Sequence, residues 1–380
     1  MQNGQFPNQG RNTMNAVKDP RGSAPVKNRP QRPAAPADGS NKKSPKPPFK
    51  LPSPLVCTFL VLALLATAII IAQCMKRDNG FNIMGLFETT APEYDTSSTS
   101  DLKDPITGMI YAEMDESTKF LDIQSSNGIL IDLSTNKVIA SKGGNDRIYP
   151  ASMTKVMTLI VAYENVEDLS DTFTMTFEIV DDAYQAGASV AGFSEGEKVP
   201  IIDLLYGTAL PSGADATSAL SEYVAGSEEA FAKMMNDKVE QMGLTGTHFV
   251  TASGLHDPNH YSTCHDMAKI LEYALSIPTL REIMGTYTYT TTPTSQHPDG
   301  IMLFNTMYKK MAGDEAGDVY VQGGKTGYTP EAHNCLASFA AYCTEENADK
   351  VSPQFILVTA GGIGEYAPIY DAIDTYKKYV

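Results

Sequence analysis

From about residue 118 onward, short apolar runs alternate with polar turns in the manner of a packed domain. Gly128 to Leu133 and Lys137 to Ser141 are apolar runs separated by Ser134-Thr135-Asn136, which predicts a β-hairpin. Apolar residues recur at helical spacing over Met153 to Tyr163, Ile201 to Leu210, Ala214 to Val224, Glu228 to Met242 and Met267 to Leu275. Pro200 suits a first helical position, Gly226 and Gly243 suit C-terminal stops, and Thr263 with Asp266 resembles a capping box. Further strands are predicted at Thr286 to Thr291, Val319 to Lys325, Cys335 to Tyr342 and Phe355 to Ala360, before a closing helix from about Ala367. Strands flanking a central block of helices predict an α+β domain, an antiparallel sheet with helices on it and a helical insertion.

The earlier part of the chain obeys different rules. Residues 1–54 are rich in Pro, Asn, Gly and basic residues, too poor in aliphatic side chains to offset the entropy of ordering, and are read as a disordered tail. Leu55 to Met75 is apolar apart from small polar residues and Gln73; as a helix it would reach about 31 Å at about 1.5 Å per residue, enough for a bilayer. A cleaved signal peptide fits less well, because the preceding tail is long and no A-x-A site follows. Gln73 before Cys74 also disfavours a lipoprotein cysteine. Lys42, Lys43, Lys46 and Lys50 crowd one flank, against Lys76 and Arg77 on the other, which predicts a single-pass cell-membrane protein with a cytoplasmic N-terminus. Residues 76–117 read as an extracytoplasmic tether, leaving 118–380 as the folded domain.

Charge narrows the choice of partners. The formal net charge is −16, yet residues 1–54 carry ten Lys/Arg against Asp19 and Asp38, so the acidic excess belongs to the rest of the chain. That argues against nucleic-acid binding by the folded part. The five cysteines form no C-x-x-C pair. Cys335 and Cys343 would lie about 26 Å apart on one extended strand and cannot bridge without a turn. His256, His260, Cys264 and His265 cluster in sequence without a metal-binding pattern and are read as loop and helix-cap residues, so no metal is predicted.

An outward-facing domain without metal or nucleotide motifs directs attention to nucleophilic catalysis, in which a serine needs an activator. S-x-x-K offers one, since side chains at i and i+3 share a helical face. The pattern occurs at Ser40, Ser100, Ser134 and Ser152, and only Ser152 opens a helix. Free N–H groups at a helix start suit a developing oxyanion, while Lys155 must be partly neutral to accept a proton. Burial and a neighbouring cation both depress a lysine pKa. Gly323-Gly324-Lys325-Thr326-Gly327 holds the only K-T-G, at a strand end, where its glycines would admit a substrate backbone, Lys325 would supply charge and Thr326 could hold a carboxylate. Between them, Ser212 in Pro211-Ser212-Gly213-Ala214-Asp215 is either a proton relay or an ordinary helix N-cap.

The ordered set S-x-x-K, S-G-x and K-T-G resembles that of the serine D-alanyl-D-alanine carboxypeptidases, the low-molecular-mass penicillin-binding proteins. The likeness extends over about 118–365. It includes Gly128 to Asp132, Tyr149 to Thr158, Ala252 to Leu255, His260 to Thr263 and Gly324 to Tyr328 leading to Asn334-Cys335-Leu336-Ala337. It implies Ser152 as nucleophile, Lys155 as base, Ser212 as relay, and Lys325, Thr326, Gly327 and Tyr328 as the substrate-binding strand. Backbone N–H groups of Ser152 and Tyr328 would form the oxyanion hole. It further implies a DD-peptidase/β-lactamase-like three-layer fold and no cofactor. The substrate would be a peptidoglycan stem peptide ending in D-Ala-D-Ala, with β-lactams as covalent inhibitors. One departure stands out: the usual Ser-x-Asn is here Ser212-Gly213-Ala214, so an amide donor and acceptor is replaced by a methyl group. Asp215 is adjacent but points elsewhere around the helix. A non-catalytic or altered-specificity wall-binding homologue is the alternative. A class A β-lactamase is disfavoured because no Glu between Ser212 and Lys325 has an Asn four residues later.

Overall fold

The structure is a computed structural model that describes residues 109, 111–311 and 316–380. The readings for residues 1–54, 55–75 and most of 76–117 lie outside the described residues. Among the described residues no helix is long and apolar enough to cross a membrane.

Strands β1 (Lys119–Phe120), β2 (Asn127–Asp132) and β3 (Lys137–Lys142) come first. The β2–β3 turn is held by the Asp132 carboxylate, which accepts from the backbone N–H of Ser134 and Thr135, with Asn136 left-handed at φ 54°. A 3₁₀ turn at Ala151–Thr154 leads into α1 (Lys155–Asn165). A mainly helical lobe follows: β4 (Thr172–Thr174), α2 (Phe177–Gln185), β5 (Lys198–Pro200), α3 (Ile201–Ala209), α4 (Ala214–Ala225) and α5 (Glu228–Gln241). After a long loop come α6 (Cys264–Ser276), α7 (Pro278–Gly285), β6 (Thr288–Thr290), β7 (Met302–Phe304) and α8 (Thr306–Met311). The described chain closes with β8 (Tyr320–Thr329), β9 (His333–Ala341), β10 (Phe355–Gly362) and α9 (Ala367–Tyr379).

The main sheet has six strands in the order β1-β3-β2-β10-β9-β8. Its neighbours are antiparallel, as expected, except for the two-residue β1–β3 pair, which is parallel. Along β10, Ile356, Val358 and Ala360 enter one apolar cluster while Phe355 and Leu357 enter another. Burial on both faces explains why such strands read as unbroken apolar runs. Helix α6 covers one face against β2 and β10, whereas α8 and α9 cover the other against β8, β9 and β10. Strand β8 ends the sheet, so one of its edges has no sheet neighbour.

Helix positions follow the apolar periodicity, with corrections at the ends. Pro200 is the N-cap of α3 instead of its first residue, and Met153 lies in the 3₁₀ turn before α1. The strand expected at Thr286 to Thr291 contracts to β6, which pairs with β7 in a separate ribbon. Strands of three residues such as β4, β5 and β7 are too short for periodicity to reveal. The boundary at residue 118 also moves. Ala112 is 1 % exposed and its carbonyl accepts from His265 Nε2 at 2.7 Å, while Glu113 pairs with Lys269 at 2.7 Å, so the packed region already includes residues 112–113.

Candidate active site

The turn before α1 is bent into an unusual shape. Ala151 has φ 48°, a left-handed conformation that a non-glycine residue avoids unless its surroundings enforce it. Ser152 follows within a 3₁₀ turn, where residues i and i+3 eclipse, and Lys155 is therefore brought directly over it. Lys155 Nζ donates to Ser152 Oγ at 3.0 Å and to the Ser253 carbonyl at 2.7 Å. Only 2 % of Lys155 is exposed. Burial brings its pKa down from 10.5 to about 7, with the charges of Asp215 and Glu228 opposing the shift.

The loop supplying that carbonyl is pinned from several sides. Thr158 Oγ1 donates to Ala252 O at 2.6 Å, and Glu228 Oε1 accepts from Ala252 N–H at 3.1 Å. His260 Nδ1 accepts from the N–H groups of Val250 and Thr251, so the neutral ring carries its proton on Nε2 and donates to Thr154 Oγ1 at 2.8 Å. Burial lowers the His260 pKa to about 4, which keeps it neutral near pH 7. Gly254 sits at φ 80°, where a Cβ would lie 2.0 Å from the Ala151 carbonyl oxygen. Gly254→Ala is therefore expected to push the Ser152 turn away, costing more than about 1 kcal/mol of stability and most acylation. A thermal melt with penicillin labelling checks this; an unchanged melting temperature with normal labelling would refute it.

Strand β8 lies against the nucleophile turn. A Cβ at Gly327 would be 2.9 Å from Pro150 O and 3.1 Å from Ser152 N, so only a residue without a side chain permits this approach. Gly323 and Gly324 serve a different purpose from the one expected. They are buried against Phe339 and Met284 O, and against Ala337 O and Met307, and do not open the strand to a ligand. Lys325 is 1 % exposed and donates to Thr326 O at 2.9 Å. Its pKa falls well below the ordinary lysine range, first through burial and then through the cations Lys155 and Lys310. Thr326 Oγ1 lies 2.7 Å from Thr306 Oγ1, and Thr306 N–H donates to Leu210 O at 3.1 Å. Thr306 thus joins β8 to the segment leading into Ser212.

Ser212 is buried with φ 65° in the loop between α3 and α4. Gly213 is the N-cap of α4, which displaces the N-cap reading of Ser212. Among the described residues no hydrogen bond links Ser212 Oγ to Ser152 or Lys155, whose contact is direct. The Ala214 methyl is buried where the resemblance calls for an amide. Asp215 does not replace it: its carboxylate accepts from the N–H groups of Ala191 and Gly192 at 2.7 and 2.9 Å.

The expected loop and cap residues have separate partners. His265 contacts Asn145 and Ala112, His260 holds the 250–251 backbone, and Cys264 begins α6 in full burial. Among the described residues no group of three or more His, Cys, Asp or Glu is placed to hold a metal ion. Cys264, Cys335 and Cys343 are free thiols. The residues missed by sequence reasoning are Thr306 and Asp215 in its clamping role, together with the Ser253 carbonyl. A main-chain carbonyl leaves no mark in residue identity.

A serine–lysine pair on a 3₁₀ turn beside a K-T-G edge strand, within a sheet covered by helices on both faces, defines a protein of the DD-peptidase fold. The crystal structure of the Streptomyces K15 DD-transpeptidase superposes with a TM-score of 0.59 at 26 % identity, covering 69 % of this chain and all of that one. A family model described as D-alanyl-D-alanine carboxypeptidase matches residues 113–351, and the chain belongs to that family, the S11 peptidases. The D-alanyl-D-alanine carboxypeptidase DacF of Bacillus subtilis is 33 % identical over 223 residues, 59 % of this chain and 56 % of that relative. A D-alanyl-D-alanine carboxypeptidase of Streptomyces sp. is 32 % identical over 227 residues, 58 % of this chain and 77 % of the relative. The chain spans about half the length of the first curated relatives it matches.

Proposed function

We propose that the protein is a serine D-Ala-D-Ala carboxypeptidase that removes the terminal D-alanine from peptidoglycan stem peptides. The observation that carries this reading is the 3.0 Å contact between Ser152 Oγ and a buried Lys155 Nζ whose pKa is about 7. Neutral Lys155 accepts the Ser152 proton as Oγ attacks the penultimate D-alanine carbonyl. The N–H groups of Ser152 and Tyr328 receive the developing oxyanion. Ser212 relays the proton to the departing amine, and water then hydrolyses the acyl-enzyme. Lys325, with Thr326, meets the substrate carboxylate. An arriving anion favours the charged form of Lys325, and that cation in turn keeps Lys155 neutral. β-Lactams, as cyclic acyl donors, would acylate the same oxygen. The segment 55–75 is proposed to anchor the domain at the outer face of the cell membrane, a reading supported by its apolar length and flanking charges.

Incubation with a synthetic pentapeptide should release free D-alanine, and a fluorescent penicillin should label Ser152. Absence of both would establish the second reading, a wall-binding homologue without catalysis, which the Ala214 methyl favours. Ala214→Asn restores an amide donor and acceptor and is expected to raise peptide hydrolysis roughly ten- to a hundredfold. Steady-state kinetics would show it; equal or lower kcat/KM in the variant would mean that this site works without the amide.

A further inference from the structure

Strand β8 meets the nucleophile turn near its C-terminal end. Beside its first residues lies a cavity of about 560 Å³, walled by α7, β8, β9 and the β9–β10 connection. Sites for small molecules span about 300–1,000 Å³, so this one has room for such a ligand. None of Ser152, Lys155, Ser212 or Lys325 lines it, and it stands apart from the proposed reaction.

The lining favours a cation. Three carboxylates, Glu282, Glu345 and Asp349, meet one guanidinium, Arg281, an excess of two negative charges. Among the described residues none of these four groups has an ion-pair partner. Helix α7 ends in the same wall at Gly285, and the negative end of a helix dipole also attracts positive charge. Tyr308, Tyr320 and Phe339 add aromatic surface on which an organic cation can rest.

Gln322 specifies the kind of cation. It is 7 % exposed, and its Nε2 donates to Ala348 O and to Val351 O, both at 2.6 Å. With both protons committed to carbonyls, the amide cannot turn over without setting its oxygen against theirs. Oε1 of this wall residue is left buried with no hydrogen-bond partner. A buried acceptor in that state calls for an N–H donor. Among the described residues no group of three His, Cys, Asp or Glu is placed to hold a metal ion, so the acids are not arranged for one.

We infer that this cavity binds a small organic dication whose charged ends carry N–H donors, a linear diamine. Its two charges match the excess on the walls, and one ammonium donates to Gln322 Oε1.

The test is calorimetric titration of the full chain with putrescine and with its bis-trimethylammonium analogue, which keeps both charges and has no N–H. Putrescine should bind with saturation, one per chain, and the analogue about tenfold more weakly. Gln322→Leu should close that gap. Because this change also releases the 348–351 backbone, Glu345→Gln combined with Asp349→Asn provides an independent arm on exposed groups. That pair should weaken putrescine about tenfold with an unchanged melting curve. The control pair Glu178→Gln with Asp182→Asn, on α2, should leave binding as it is, since neither residue lines the cavity. The inference is overturned if the wild type shows no saturable heat, if it binds both ligands equally, or if the control pair weakens binding as much as the cavity pair. The last result would mean diffuse attraction to an acidic surface.

Discussion

Ser152→Ala is expected to abolish penicillin labelling and to lower D-alanine release by about 10,000-fold or more, because among the described residues no other hydroxyl is hydrogen-bonded to the buried lysine. The removed oxygen is small and its only described hydrogen bond is to Lys155, so the fold should survive; an unchanged melting curve would separate lost chemistry from lost structure. Mass spectrometry after penicillin treatment gives the direct readout. An adduct that persists on the variant would move the nucleophile elsewhere and sink the proposed mechanism.

The second large effect concerns Lys155. With a pKa near 7, it is mostly protonated below neutrality and cannot accept the serine proton. Acylation should therefore rise about tenfold per pH unit below that value and level off above it. Lys155→Arg preserves the charge but substitutes a group that remains protonated at every accessible pH. Acylation should fall by about 100- to 10,000-fold, and the rise through pH 7 should vanish. Stopped-flow labelling between pH 5 and 9 (about two units to either side of the Lys155 value) would decide. A wild-type profile flat across that interval would mean that the lysine is not the base. The same burial has a thermodynamic consequence. Between about 7 and 10.5 the unfolded chain binds a proton on this lysine that the folded chain does not, so this group makes stability rise with pH over that interval.

Much of the domain was legible from the order of side chains. Helices α3 to α6 fall where the apolar spacing put them, since a 3.6-residue period survives any later packing choice. The Thr263 cap is equally local: its hydroxyl accepts from Asp266 N–H at 2.9 Å. The short ribbons were not legible. β6 contains three residues, and what makes it a strand is β7, separated from it by a loop whose sequence says nothing about pairing. The early start of the packed region escaped notice for a similar reason: Ala112 is buried by α6, more than 150 residues away in sequence.

The candidate site divides along the same line. Ser152 and Lys155 could be picked out from S-x-x-K spacing at a helix start, whereas Ser212 and the Lys325-Thr326-Gly327 strand acquired their roles only through the resemblance of the ordered motif set to the carboxypeptidases. Their arrangement was decided by tertiary structure alone. The left-handed Ala151, the Ser253 carbonyl on Lys155, the glycine contact that admits Gly254, and the Thr306 tie between cleft walls all depend on main-chain atoms or on residues distant in sequence. So does the depressed lysine pKa, since desolvation belongs to the enclosure and to no residue by itself.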